Sequence, residues 1–321
     1  MEERNIFARI LLISAISLFF CSPLCAKENG NLLSSKEIHG NIFSSTFISE
    51  KEVIIVGESG RIYLSADGGK SWQYIKSGSS EQLFSVCFPD GKNGWITGSS
   101  GTILHSADGG RTWIKQSSGI DKHLFGVHFY DSLRGCAVGD WGAIIITTDG
   151  GKNWKDIHLS EDIVLYAVRM TKAGGTIVGE FGSIFISNNQ GQTWAKGPPV
   201  AEQSLFCLAE HGGRMIAAGL EGVIIQSWDG GRSWKRSDSP TKQAIYNVDL
   251  RGNSGYAVGD RGTLLRTADG GKSWKSLEVP LGIQLFWFGT VKISPQAAST
   301  VGFGAGANGL TFGLKDREIT W

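Results

Sequence analysis

An all-β fold, a seven-bladed propeller, is what this 321-residue sequence predicts, and three observations predict it. The octapeptide Ser106-Ala107-Asp108-Gly109-Gly110-Arg111-Thr112-Trp113 recurs in near copies centred on Asp67, Asp108, Asp149, Asn189, Asp229 and Asp269, at steps of 41, 41, 40, 40 and 40 residues. Each repeat holds four short runs rich in β-branched and aromatic residues, separated by Gly, Ser and Asp turns. Four antiparallel strands in a repeat of this length make a propeller blade. The first of the four runs aligns seven times, as Ile42-Phe43, Leu83-Phe84, Leu124-Phe125, Leu165-Tyr166, Leu205-Phe206, Ile245-Tyr246 and Leu285-Phe286.

Residues 1–26 read as a secretory signal. Arg4 and Arg9 precede an apolar run from Ile10 to Phe20, Pro23 interrupts it, and Leu24-Cys25-Ala26 offers a cleavage site. The run is too short to cross a bilayer comfortably. Export to a periplasm, a thylakoid lumen or the extracellular space is therefore expected; a retained anchor or a lipid on Cys21 or Cys25 is the alternative. Residues 27–321 are expected to form one propeller domain.

In the second repeat the strand runs are Leu83 to Phe88, Trp95 to Gly98, Thr102 to Ser106 and Trp113 to Gln116. The octapeptide, an Asp-box, sits between the last two. Its acid can accept backbone N–H groups of its own turn, Gly takes positive φ, and the Trp has a large apolar face to bury. Counting from Gly309 places a degenerate seventh box at Asp316, with Thr320 and Trp321 at the late positions and Leu314 and Glu318 replacing the Ser/Thr and Gly. The chain ends where a fourth strand of blade seven is due. The box-to-strand spacing puts Asn31 to Ser35 in that register, so the ring is expected to be closed by an N-terminal strand in the last blade, paired with Leu310 to Leu314.

Net charge is +1, with both signs interspersed, which gives no overall field for nucleic acid. The 45 glycines are periodic and belong to turns. Cys87, Cys136 and Cys207 lie in strand-like runs without metal-ligand spacing, so neither a disulfide nor a metal or cofactor is expected. The box acids, one per blade, are spread around the periphery and have a structural role. The Gly-x-x-Gly turns are followed by strands and are not phosphate loops.

Two places could carry function. Loops joining strands two and three share an end of the ring with the loops between blades. There Asp140, Trp141, Glu180, Phe181, Asp260 and Arg261 stand out, aromatic residues with flanking charges that suit a protein or carbohydrate partner. Along the axis, Thr46, Cys87, His128, Arg169, Ala209, Asp249 and Gly289 share one register, which brings the ionisable side chains of His128, Arg169 and Asp249 to one level as ligand-binding or merely solvated groups.

The unit Gly94-Trp95-Ile96-Thr97-Gly98-x-x-Gly101-x-Ile103-x-x-Ser106-x-Asp108-Gly109-Gly110-x-Thr112-Trp113 resembles the photosystem II stability and assembly factor family of cyanobacteria and chloroplasts. The resemblance spans about residues 31 to 321. It implies a lumenal or periplasmic propeller, monomeric and non-catalytic, that binds a membrane-protein assembly intermediate. Asp-boxes also occur in sialidases, xyloglucan hydrolases and sortilin-type receptors. A glycoside hydrolase, with Asp140 and Glu180 as its acid pair, and an adhesion or receptor module are therefore the competing functions.

Overall fold

The second repeat shows how a blade forms. In the computed structural model Leu83–Cys87, Gly94–Gly98, Ile103–Ser106 and Ile114–Gln116 pair antiparallel in that order. Its second hairpin turns on Ser100 and Gly101, at φ 53° and 65°, the mirror-image turn whose twist matches the flanking strands. The same pair of positive φ values recurs at Ser59-Gly60, Trp141-Gly142, Phe181-Gly182, Glu221-Gly222, Arg261-Gly262 and Asn308-Gly309.

The structure describes residues 32–295, 301–315 and 318–321. The signal-like segment 1–26, Asn31 and Asp316 lie outside them. Contacts divide the chain into Met1–Leu32 and Leu33–Trp321, and the second unit is the propeller. Its seven sheets span 42–76, 83–116, 124–156, 165–196, 205–237, 245–276 and 288–320. The first strand of each sheet contacts the first strand of the next, and Ile42–Phe47 meets Phe288–Ile293 to complete the ring. Seven apolar clusters fill the seven interfaces between neighbouring blades.

The six complete boxes are built alike. In blade two the Asp108 Oδ1 accepts the N–H groups of Arg111 and Thr112 at 3.0 and 2.9 Å, and its Oδ2 accepts the Thr112 hydroxyl at 2.6 Å. Ser106 donates its hydroxyl to Asp108 and accepts the Gly110 N–H. The box Trp then enters the interface with the preceding blade, as Trp113 does against blade one and Trp274 against blade five. In blade four Asn189 reproduces the turn without a charge, its Oδ1 accepting from Thr193 N–H and its Nδ2 donating to Thr193 Oγ1.

These bonds favour the ionised acids. At Asp229 the Ser233 hydroxyl, then the Ser233 N–H, brings the carboxyl down to about 2 from the ordinary 3.8. At Asp108 and Asp269 partial burial opposes ionisation, but the summed hydrogen bonds outweigh it and again give about 2. A depressed folded-state pKa contributes stability that is present above the unfolded value and lost as pH falls through the folded one. The melting temperature should therefore drop between about pH 4 and pH 2. Asp229→Asn, which copies the natural Asn189 box, should make that dependence shallower by the share of one box, leaving those of Asp108 and Asp269, while the protein stays folded at neutral pH. A melting temperature constant from pH 4 to pH 2 would contradict this assignment.

Closure differs from the expectation. Leu33–Ser34 pairs with Ser71–Lys76, Leu33 opposite Trp72, and so forms a fifth strand on the outside of blade one. Blade seven completes itself with Glu318–Thr320, paired to Thr311–Lys315. The strands on either side of the degenerate box are separated only by Asp316 and Arg317. That short connection lets the C-terminal residues fold back two positions earlier than a full box allows, which fills the place assigned to Asn31 to Ser35. The seam between blades one and seven is held instead by side chains. The Ser45 and Thr290 hydroxyls meet at 2.8 Å, Ser45 N–H donates to Thr290 Oγ1, Ser294 Oγ donates to Glu50 O, and Trp72 packs on Phe303 with ring centroids 5.2 Å apart.

The candidate functional site at the loop end and the axis

The innermost strands begin at the loop end, and each opens with a bulge: pairing jumps from Ile42 to Ser44, from Leu83 to Ser85, and likewise in the other blades. A bulge re-aims its extra residue. Here the extra residues are Phe43, Phe84, Phe125, Tyr166, Phe206 and Tyr246, whose side chains touch their neighbours around the axis with centroids 5.1–6.1 Å apart. Blade seven solves the same problem differently. Its bulged residue is Gly289, and Trp287 supplies the ring, stacked on Phe43 at 6.1 Å and 6.3 Å from Tyr246. A Cβ on Gly289 would meet Trp287 Cζ3 at 2.9 Å, so the indole occupies the space that a side chain there would need. The result is a closed annulus of seven aromatic rings, with centroids about 6.5 Å from the axis for a regular heptagon of these edges.

The seventh alignment is thus corrected. Leu281–Leu285 is a 3-10 turn and the inner strand is Phe288–Ile293, three residues later than expected. Pro280 and Gly282 signal the longer connection in the sequence. Leu281 and Leu285, 85% and 86% exposed, add to the loop end two apolar side chains that the repeat alignment did not single out.

The hairpin residues divide into two kinds. The residue before each left-handed position is buried or half-buried. Glu180 is only 2% exposed, and its Oε2 accepts the Val164 N–H at 2.9 Å; Ser99 likewise accepts the Gln82 N–H and Asp260 the Arg261 N–H. Burial, the leading cause, raises the Asp140 carboxyl above its ordinary value, with His123 opposing. Glu180 is therefore part of the blade-to-blade framework, not the exposed rim charge that its place in the sequence suggested. The second of each pair, in the left-handed conformation, points outward: Trp141 is 53% and Phe181 58% exposed, and Arg261 is exposed. Beside Trp141 lies an open depression of about 430 Å³ lined by Asp121, Lys122, His158, Ser160, Glu161 and Asp162. Arg261 borders another of about 500 Å³ with Leu281 and Gln284.

On the axis, pairing places Thr46, Cys87, His128, Arg169, Ala209 and Asp249 in one register, as the sequence suggested, but the seventh member is Lys292, not Gly289. The same late start of the blade-seven strand explains the error. Innermost strands have one unpaired edge, and side chains of the preceding blade satisfy it. Met170 N–H donates to His128 Nδ1 at 3.1 Å, Ile293 N–H to Asp249 Oδ2 at 2.8 Å, Val86 N–H to Ser44 Oγ and Val291 N–H to Asn247 Oδ1 at 3.3 Å. Burial first, then the charges of Arg169 and Lys292, holds His128 neutral with a pKa well below 6.5. Cys87, Cys136 and Cys207 are free thiols, and burial pushes Cys207 up to about 12.

The family profile described as photosynthesis system II assembly factor YCF48 matches residues 32–119, 113–198 and 205–287. The chain belongs to that family. Among solved structures, "YCF48 bound to D1 peptide" is similar at TM-score 0.69 and 20% identity, over 89% of this chain and 95% of that one. YCF48 from Cyanidioschyzon merolae is similar at 0.67 and 18%, over 87% and 96%. The GH74 xyloglucanase from Xanthomonas campestris shares the fold at 0.70 and 14% identity, over 91% of this chain but 55% of that one. No curated protein matches the chain significantly.

Proposed function

We propose that this YCF48-family protein is an exported, non-catalytic, monomeric scaffold that binds a photosystem II membrane-protein intermediate during assembly, with the loop end as its docking surface. Family membership carries the reading. The related propeller bound to a D1 peptide supports the class of client, a peptide segment of a photosystem II membrane protein. The surface offers what such docking needs: outward Trp141 and Phe181, and acids beside Trp141 that favour a basic segment. Desolvated aromatic anchors of this kind are each worth about 2 kcal/mol or more, roughly thirtyfold in affinity. Export rests on the pattern of residues 1–26.

Capture of photosystem II subunits from solubilised photosynthetic membranes by the immobilised chain, identified by mass spectrometry, tests the client. Trp141→Ala and Phe181→Ala should each weaken capture about thirtyfold while the melting temperature stays nearly unchanged. Equal capture by both variants would remove this surface; no enrichment of photosystem II subunits would remove the client.

The hydrolase reading draws only on the shared fold. A glycosidase needs two carboxyls flanking a sugar, and Glu180 is buried and engaged by the Val164 N–H. No release of reducing sugar from xyloglucan or of sialic acid from sialosides is expected.

A further inference from the structure

The level of the axis that holds His128, Arg169, Asp249 and Lys292 has more donors than acceptors. His128 accepts at Nδ1, so its neutral ring carries the proton on Nε2 as a donor. Asp249 spends one oxygen on the Ile293 N–H and approaches Lys292 Nζ with the other at only 3.7 Å. The Arg169 side chain has as its one hydrogen bond among the described residues a 3.3 Å contact from Nη1 to the carbonyl of its own neighbour, Val168. This level thus carries two cations, Arg169 and Lys292, and one carboxylate, Asp249, which is a net positive charge. Lys292 and Arg169 belong to blades seven and four, on opposite sides of the ring, yet they act on each other: burial and then Arg169 disfavour the Lys292 ammonium, with Asp249 opposing.

We propose that this level is a binding site for a small oxyanion, held between the Arg169 guanidinium and the Lys292 ammonium with His128 Nε2–H as a neutral donor. A guanidinium that commits one long bond to the Val168 carbonyl keeps donors for the oxygens of phosphate, sulfate or a carboxylate. A partly desolvated like-charge pair gains most from an anion placed between its members. The Asp249 carboxylate stays on the Ile293 N–H and sets the sign of selection, since it repels any anion that cannot reach both cations. The site is independent of the docking surface, because none of its side chains is a hairpin tip.

Calorimetric titration of the full chain with sodium phosphate, sodium sulfate and sodium acetate, at ionic strength held constant with chloride, tests it. Saturable binding of at least one oxyanion is expected, and the tightest of the three shows whether a tetrahedral or a planar group is preferred. Arg169→Gln and Lys292→Met should each weaken that affinity at least tenfold, while Arg261→Gln at the rim leaves it unchanged. Lys292→Met removes a buried charge and should fold even if Arg169→Gln does not. Binding no stronger than that of chloride, or affinity unchanged in Lys292→Met, overturns the site.

Discussion

Gly259→Ala should leave little folded protein. Gly259 ends the second strand of blade six, and a Cβ there would lie 1.9 Å from the carbonyl oxygen of Ala244. The equivalent clashes are 1.8 Å with His123 O at Gly139 and 1.9 Å with Ser204 O at Gly219. The backbone at Gly139 and Gly219 is extended, at φ −169° and −173°, so these positions are glycine for close approach and not for conformational freedom. Nor can the carbonyl retreat cheaply, because Ala244 O also accepts the Asp260 N–H at 2.9 Å. Forcing a methyl between a strand and the loop that links two blades should cost about 3 kcal/mol or more. Urea unfolding of Gly259→Ala beside Gly282→Ala measures this. Gly282 has nothing within 4 Å of an added Cβ, so its variant should stay within about 0.5 kcal/mol of the wild type. Equal midpoints for the two would show that the blades separate without penalty.

Trp72→Ala should be nearly as damaging, and should act at the seam. Trp72 is fully buried, donates its Nε1–H to Gly69 O at 3.0 Å, and lies in the cluster that joins blade one to Phe303 and Ala305 of blade seven. Truncating a buried Trp costs about 3–5 kcal/mol. At roughly 2–4 °C per kcal/mol in a domain of this size, the melting temperature should fall by about 10 °C. The ring is closed by side-chain contacts without a shared strand, so this loss should also raise proteolysis at blades one and seven. Among the described residues, deleting residues 1–34 removes the two-residue ladder opposite Ser71 and Trp72, the Leu33 contact with the seam cluster and the Ser34 bonds to Glu37, and should cost far less. Should that deletion melt lower than Trp72→Ala, the outer strand and not the seam would hold the ring together.

The sequence by itself determined the repeating parts. Period, box chemistry, turn glycines and six of the seven first strands were legible because each depends on local rules: an acid that caps its own turn, a glycine at positive φ, a Trp at fixed distance from both. Trp141 and Phe181 could be placed on one end because strand alternation fixes which loops share an end. What the sequence left open were the places where distant segments meet. The connection through Pro280 and Gly282 shifts blade seven by three residues, so Trp287 took the aromatic position and Lys292 the axial one. The near-neutral total charge gives no hint that Lys292 approaches Asp249 at the axial level of Arg169. Glu180 and Trp141 occupy adjacent kinds of hairpin position, and only packing decided that the acid turns in to the Val164 N–H while the indole stays out. Ring closure, too, depended on whether the last box would form. Leu33 and the C-terminal strand fit the same register on paper, and the nearer segment in sequence, Glu318–Thr320, takes the place, because a local hairpin closes at smaller entropic cost than a ladder between chain ends.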